Sequence, residues 1–353
     1  MSDPKGIWQH ADWPAFRWHG DRVPALLRAC QLAQGRLLGA VGSAGAEAGF
    51  ETELDALLQN IVTSSAIEGE ELNAGSVRSS LAKRLGVDVG ADGGRTPRSE
   101  GLAELMVDAT HHYARPLDLQ RLFHWHRLLF PAQETLLPAR IRVGLDTQVD
   151  AFLAWFESST NASTLDPLLR AGIAHFWFVT LHPFDDGNGR LTRAITDLAL
   201  AQAEHQAIRF YTMSASILTD RPGYYRVLEQ SQKGDLDITK WLVWFLQTLL
   251  DSLEQALLRI DRVLGKARFW RQHGEHMLSA EQRKVINRLL DGGERGFGDG
   301  INASQYQAVA RVSKATATRH LSDLTEKGLL RRLPGGGRST RYEIDWPDLR
   351  ATR

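Results

Sequence analysis

His182-Pro-Phe-Asp-Asp-Gly-Asn-Gly-Arg-Leu-Thr-Arg193 decides the reading of this chain. The run joins a titratable base, a hard-metal ligand, a glycine turn and two arginines. Arg190 and Arg193 stand at i and i+3 near a helix start, so their side chains share one face. The helix dipole is positive there, which disfavours cations unless an anion of higher charge lies between them. Gly187 and Gly189 let the backbone turn with its amides exposed, forming a concave anion cradle. The stretch reads as a holder of polyphosphate.

The flanks predict a helix-loop-helix. Pro167–Leu181 is strongly apolar (Leu168, Leu169, Ile173, Phe176, Phe178, Leu181), which predicts a buried helix. His182-Pro183 ends it, since a residue before proline is biased away from helix. Leu191, Ala194, Ile195, Leu198 and Ala199 repeat with helical spacing and predict an amphipathic helix. The loop between carries the chemistry. Histidine takes a proton near neutral pH, so His182 is the candidate general base. Asp186 is a carboxylate beside phosphate-binding amides, where Mg2+ is usually shared with phosphate oxygens. The Asn188 side chain and neighbouring amides can donate to phosphate, Arg190 and Arg193 can grip its oxygens bidentately, and Phe184 anchors the loop inward.

These residues resemble the signature of Fic-domain proteins, His-x-Phe-x-(Asp/Glu)-Gly-Asn-Gly-Arg-x-x-Arg, with every defined position filled. The resemblance implies a Fic-type helical core and transfer of AMP from ATP, with Mg2+, to a Tyr, Thr or Ser hydroxyl of a protein. It implies that His182 deprotonates the attacking hydroxyl, that Asp186 binds the metal, and that Gly187, Asn188, Gly189, Arg190 and Arg193 hold the phosphates.

A second stretch, Ser64-Ser65-Ala66-Ile67-Glu68-Gly69, is similar to the family's inhibitory sequence, (Ser/Thr)-x-x-x-Glu-(Gly/Asn). Leu54, Leu57, Leu58 and Ile61 predict a preceding helix, which Gly69 suits as its C′ residue. Glu68 then lies in the last turn, where the dipole disfavours a carboxylate. The resemblance names the cation that repairs this, Arg193, and implies autoinhibition through the Glu68–Arg193 pair. Ser65-x-x-Glu68 also fits a helix capping box. In some relatives the equivalent glutamate positions water to remove AMP instead. Tyr224-Tyr225 and Gln232 are similar to the family's nucleoside-contacting segment; the alternative is that the tyrosines pack in a helical core.

Composition agrees with an enzyme of several domains. The chain has 353 residues and no net formal charge, so it is not as a whole an electrostatic nucleic-acid binder. The single cysteine, Cys30, excludes an intramolecular disulfide framework. With no apolar signal or span in view, the expectation is a cytoplasmic protein without membrane contact. Trp8, Trp13 and Trp18 precede a helix from about Val23 to Gly39 and are expected to pack in a core, with peptide binding as the alternative. The arrangement resembles the N-terminal extension of a bacterial Fic subgroup. Gly86–Glu100 reads as a flexible junction, with helix resuming at Leu102. Most relatives carry a β-hairpin flap before the signature, which clamps a target as an added edge strand. Here only Pro131–Asp150 is available, and a short strand over Arg140–Val143 is expected in place of a full hairpin.

The C-terminal quarter reads as three helices followed by strand, glycine turn and strand, similar to a winged helix-turn-helix. Eight Lys/Arg and two Asp/Glu between Arg311 and Arg341 give a local net of +6. Lys314, Thr316 and Arg319 stand where a recognition helix meets DNA, with Arg338 and Arg341 on the wing. The expected fold is therefore mainly α with a small β wing. An N-terminal extension with the inhibitory helix spans 1–85, the catalytic core 86–255, a linker helix 256–278 and the winged domain 279–347. Expected partners are a protein target, which can be the chain itself, DNA at the winged domain, and a second copy in a homodimer. A nucleotide-sensing transcriptional regulator is the alternative function.

Overall fold

The computed structural model describes residues 6–44, 46–86, 94–131, 139–160, 162, 164–206, 210–292, 297–334 and 340–346. The chain is mainly helical and divides into two compact units, Met1–Leu257 and Leu258–Arg353.

In the first unit a 3-10 turn at Ile7–Gln9 precedes α1 (Pro24–Ala44), α2 (Ala46–Ile67), α3 (Ala74–Arg84), α4 (Pro97–His111) and α5 (Leu119–Leu129). Then follow α6 (Asp146–Ser158), α7 (Pro167–Leu181), α8 (Asn188–Glu204), α9 (Met213–Thr219), α10 (Arg221–Gln232) and the first half of α11 (Thr239–His273), whose residues from Leu258 on belong to the second unit. The segment expected as a linker helix over 256–278 is mostly the distal part of α11, which already begins at Thr239.

Helices α7 and α8 pack against each other and form the centre of the unit. Helix α7 starts at Pro167 behind Asp166, whose carboxylate accepts from Leu168 N at 2.8 Å. Helix α8 departs from the amphipathic expectation: it is buried all round, from Asn188 to Gln202 with only Gly189 less covered. Its polar residues bond internally or to neighbours. Thr192 and Thr196 donate to the carbonyls of Asn188 and Thr192, at 2.7 and 2.8 Å, and Asp197 accepts from Asn60 of α2 at 2.7 Å. A helix with a satisfied polar stripe can be wholly internal, which hydrophobic spacing alone does not reveal.

Three local expectations change. Helix resumes before Leu102, because Thr96 accepts from Ser99 N and Pro97 opens α4; the centre of the expected junction, 87–93, lies outside the described residues. No strand forms over Arg140–Val143. Arg142 N donates instead to Pro183 O at 2.8 Å, and Gly144 turns the chain at φ 85°, so the segment is tied to the signature loop. Residues 132–138 lie outside the described set. Of the tryptophans, Trp13 meets Phe16 and Trp177 edge-on, whereas Trp8 is 54% exposed. Cys30 is fully buried and its thiol is pushed up to about 12, chiefly by burial.

The second unit contains α12 (Ala280–Asp291), α13 (Ala303–Ala310), α14 (Lys314–Glu326) and two short strands. Ser279, Asn302 and Ser313 cap the three helices through their side-chain oxygens. Strands β1 (Leu330–Arg332) and β2 (Tyr342–Ile344) pair antiparallel, with Leu330 opposite Ile344. Both join Val285, Ile286, Leu321 and Leu324 in one core.

Candidate active site

The loop between α7 and α8 is braced from inside. His182 caps α7 in the left-handed region, at φ 49° and ψ 55°, with its amide on Phe178 O at 3.1 Å. A non-glycine residue held there is under backbone strain of a kind that clusters at functional sites. Phe184 is fully buried and stacks on His126 at 4.5 Å between ring centroids. Asn188 clamps it: Phe184 N donates to Asn188 Oδ1 at 2.9 Å, and Asn188 Nδ2 donates to Phe184 O at 2.8 Å. Both ends of the amide are therefore occupied inside the protein. The Asn188 side chain, expected from the sequence to donate to phosphate, is here engaged with the backbone of Phe184 and braces the loop.

Gly187 is the N-cap of α8 with φ 82°, and a Cβ there would press on the Phe130 ring. Asp186 Oδ1 accepts from Gly187 N at 2.6 Å, while the side chain is 59% exposed. One carboxylate with an outward-facing oxygen suits Mg2+, which takes one or two protein carboxylates and completes its shell with phosphate and water. No cluster of three or more His, Cys, Asp or Glu that could hold a metal occurs among the described residues.

Two buried arginines follow. Arg193 donates from Nε to Ser64 Oγ, and from Nη2 to Ser64 O and Glu68 Oε1, each at 2.8 Å. Arg190 Nη1 donates to Glu70 Oε1 at 2.6 Å, and its Nη2 lies 3.9 Å from Asp186. Burial and the nearby Arg98 pull the Arg190 guanidinium down from its ordinary value, against the opposing pull of Glu70.

The end of α2 explains how two carboxylates reach two arginines. Gly69, at φ 82°, turns the chain, with Gly69 N on Ala66 O and Glu70 N on Ser65 O, both at 3.0 Å. This Schellman turn places Glu68 before the glycine and Glu70 after it. Ser65 is thus near the end of a helix, not at its start, and caps nothing. The Glu68 carboxylate lies against Gly189, so closely that a Cβ there would collide with it. It occupies the first turn of α8, where unpaired amides and the dipole attract an anion.

His182 itself is exposed at a cavity of about 510 Å3, whose walls include Trp8, Trp13, Arg142, Gln148 and Thr180. Its imidazole is held below its ordinary value, first by loss of hydration and then by Arg142; the carboxylates of Glu68 and Asp186 pull the other way. A neutral ring at neutral pH is the form a general base needs.

The three nucleoside candidates separate. Tyr224 is buried, with its hydroxyl 3.0 Å from His175 Nε2, so it packs under Arg193 and offers no open face. Tyr225 is 43% exposed. Gln232 donates to Thr180 Oγ1 at 3.1 Å, at the wall of the His182 cavity. Spacing alone could not tell which tyrosine faces inward. Glu70, Arg98, Arg142 and His126 were not picked out from the sequence. Glu70 lies beyond the turn at Gly69, outside the helix, so helix-end reasoning does not reach it.

In the second unit Lys314 and Arg319 are exposed on α14, and Thr316 Oγ1 lies 3.0 Å from the capping Ser313 hydroxyl. Arg341 donates to Gly300 O at 2.9 Å, which ties it to its own fold. Arg338 lies outside the described residues.

Residues 116–200 match the Fic/DOC family, and residues 7–87 match a domain of unknown function, DUF4172. The chain is 26% identical over 197 residues to the protein adenylyltransferase Fic of Drosophila sechellia, covering 52% of this chain and 39% of that one. It is 35% identical over 94 residues to the protein of the same name from Nematostella vectensis, covering 26% of this chain and 20% of that one. The chain thus spans about two fifths, or less, of these relatives' length. A Fic domain containing signaling protein from Bacteroides thetaiotaomicron shares the fold with TM-score 0.50 at 17% identity, over 65% of this chain and 97% of that one. No helix among the described residues is long and apolar enough to cross a membrane.

Proposed function

We propose that this chain, a Fic-domain protein, transfers AMP from Mg2+-bound ATP to a hydroxyl side chain of a protein. The single observation that carries this reading is the Glu68 carboxylate seated on Gly189 and bonded to Arg193. An anion already occupies the cradle, within the electrostatic reach of His182. Replacing it with a triphosphate keeps the charge and lengthens the anion toward the imidazole.

In the reaction, the target's hydroxyl oxygen forms a bond to the α-phosphorus, and the bond from that phosphorus to the bridging oxygen of pyrophosphate breaks. The electron pair leaves with pyrophosphate, and His182 takes the hydroxyl proton. Asp186 would hold Mg2+, which would supply positive charge against the phosphate oxygens. The amides of α8, Arg190 and Arg193 hold the tail in place, so that catalysis is mostly positioning and charge stabilisation. While Glu68 holds Arg193, the tail cannot occupy that guanidinium, and the chain is autoinhibited.

Incubating the Glu68→Gly chain with Mg2+ and ATP, then locating adducts by mass spectrometry, tests the assignment. An AMP moiety on a Tyr, Thr or Ser hydroxyl, absent from Glu68→Gly/His182→Ala, is expected. A phosphate adduct, or AMP addition unchanged without His182, would overturn it.

A further inference from the structure

We propose that Arg98 is a third cation for the nucleotide's terminal phosphates, the part that leaves as pyrophosphate, and that Glu70 stands in for those phosphates in the free protein. This rests on the nucleotide-transfer reading above but assigns residues outside the signature. Arg98 comes from the first turn of α4, far in sequence from Arg190. A single carboxylate bridges the two: Glu70 accepts from Arg98 Nη2 at 2.8 and 2.6 Å and from Arg190 Nη1 at 2.6 Å.

The two guanidiniums also share a floor. Arg98 lies 5.6 Å and Arg190 5.0 Å from the centre of the Phe130 ring. Without Glu70, Arg98 would lose its ion pair with that carboxylate, and Arg190 would keep the Asp186 carboxylate at 3.9 Å. The buried Nε of Arg190 has no hydrogen-bond partner, so the site is short of acceptors even now. Arg98, Glu70, Glu71, Phe130 and Asp186 are among the residues that line one cavity of about 710 Å3.

Charge fits the assignment. Arg98, Arg190 and Arg193 carry three positive charges, and a Mg2+-bound triphosphate with Asp186 carries roughly three negative ones. Glu70 is suited to leave. It follows the Schellman turn, outside the helix, and its side chain is 36% exposed. Glu68 and Glu70 thus leave one arginine each, and Arg98 is released with the second.

The experiment measures binding of Mg2+-pyrophosphate and, separately, of AMP by calorimetry on the full chain carrying Glu68→Gly. In that background Glu70→Gln is expected to tighten pyrophosphate by about tenfold and Arg98→Gln to weaken it by about tenfold, the scale of one charged hydrogen bond. The gain from Glu70→Gln shrinks when Arg98→Gln is also present, because the two act on one site. AMP affinity stays the same in all four, which also shows that each variant is folded. Pyrophosphate affinity indifferent to Arg98→Gln, or AMP and pyrophosphate affected alike, overturns the proposal. If Glu68→Gly still transfers AMP while Arg98→Gln changes nothing, this inference alone fails; if no variant transfers AMP, the function fails with it.

Discussion

Glu68 and Arg193 meet at 2.8 Å, with the carboxylate laid over Gly189 and the guanidinium 4% exposed. The pair closes the mouth of α8 from a helix that lies 125 residues away in the chain. A charge-assisted contact of this kind is worth about 1.5–3 kcal/mol. On the proposed function the pair would oppose nucleotide entry without locking the fold, since Ser64 also holds Arg193 through Nε and Nη2.

Glu68→Gly is expected to raise the initial rate of AMP transfer by about tenfold to a hundredfold, the range that such an energy spans. Label from α-labelled ATP, counted in protein over time, measures it. Equal or slower incorporation than wild type removes the inhibitory role.

Acid should silence transfer through His182. The ring is held below its ordinary 6.5, so the neutral form persists through neutral pH and is lost as pH falls past that lowered value. In kcat/KM against pH, the acid limb is expected below 6.5, and Arg142→Gln should move it upward by removing a neighbouring cation. A limb unmoved by Arg142→Gln would mean that another group sets it.

His175 predicts a second pH effect, on stability. It is fully enclosed between Thr196 and Tyr224, and burial followed by Arg193 lowers its ring to about 3. The folded chain keeps it neutral, while the unfolded chain binds a proton near 6.5. Its contribution is complete above 6.5 and declines below it by about 1.4 kcal/mol per pH unit. Urea unfolding at pH 7 and pH 5 should show wild type losing about 2 kcal/mol more than His175→Gln, which keeps polar atoms but cannot titrate. Equal losses would place the acid sensitivity elsewhere.

Asn188→Ala should destabilise the nucleotide-free protein by about 1–3 kcal/mol, because it strands the buried amide and carbonyl of Phe184. Thermal or urea unfolding without ligand is the check. An unchanged midpoint would mean that the clamp on Phe184 adds nothing to stability.

Much of this was legible in the sequence because it is local. The apolar run before His182, the glycine turn and the helix after it are set by spacing and backbone preference within about thirty residues. Gly69 as the end of α2 was legible for the same reason. What escaped depends on contacts across the fold. Arg98 was hidden in a stretch read as a flexible junction, although Thr96-Pro97 is a helix start. Tyr224 and Tyr225 are adjacent and similar in type, and only packing puts one in the core. The polar face of α8 looks solvent-ready until Asn60 and the threonine ladder satisfy it. Glu70 gains meaning only when a turn at Gly69 points it toward Arg190.

The most direct measurement is a crystal structure of the Glu68→Gly chain with Mg2+ and a non-hydrolysable ATP analogue. The account predicts the triphosphate over Gly187–Arg193, Mg2+ at Asp186, and the α-phosphorus facing the imidazole of His182. A cradle left empty, or a nucleotide bound with His182 turned away from its phosphorus, contradicts it.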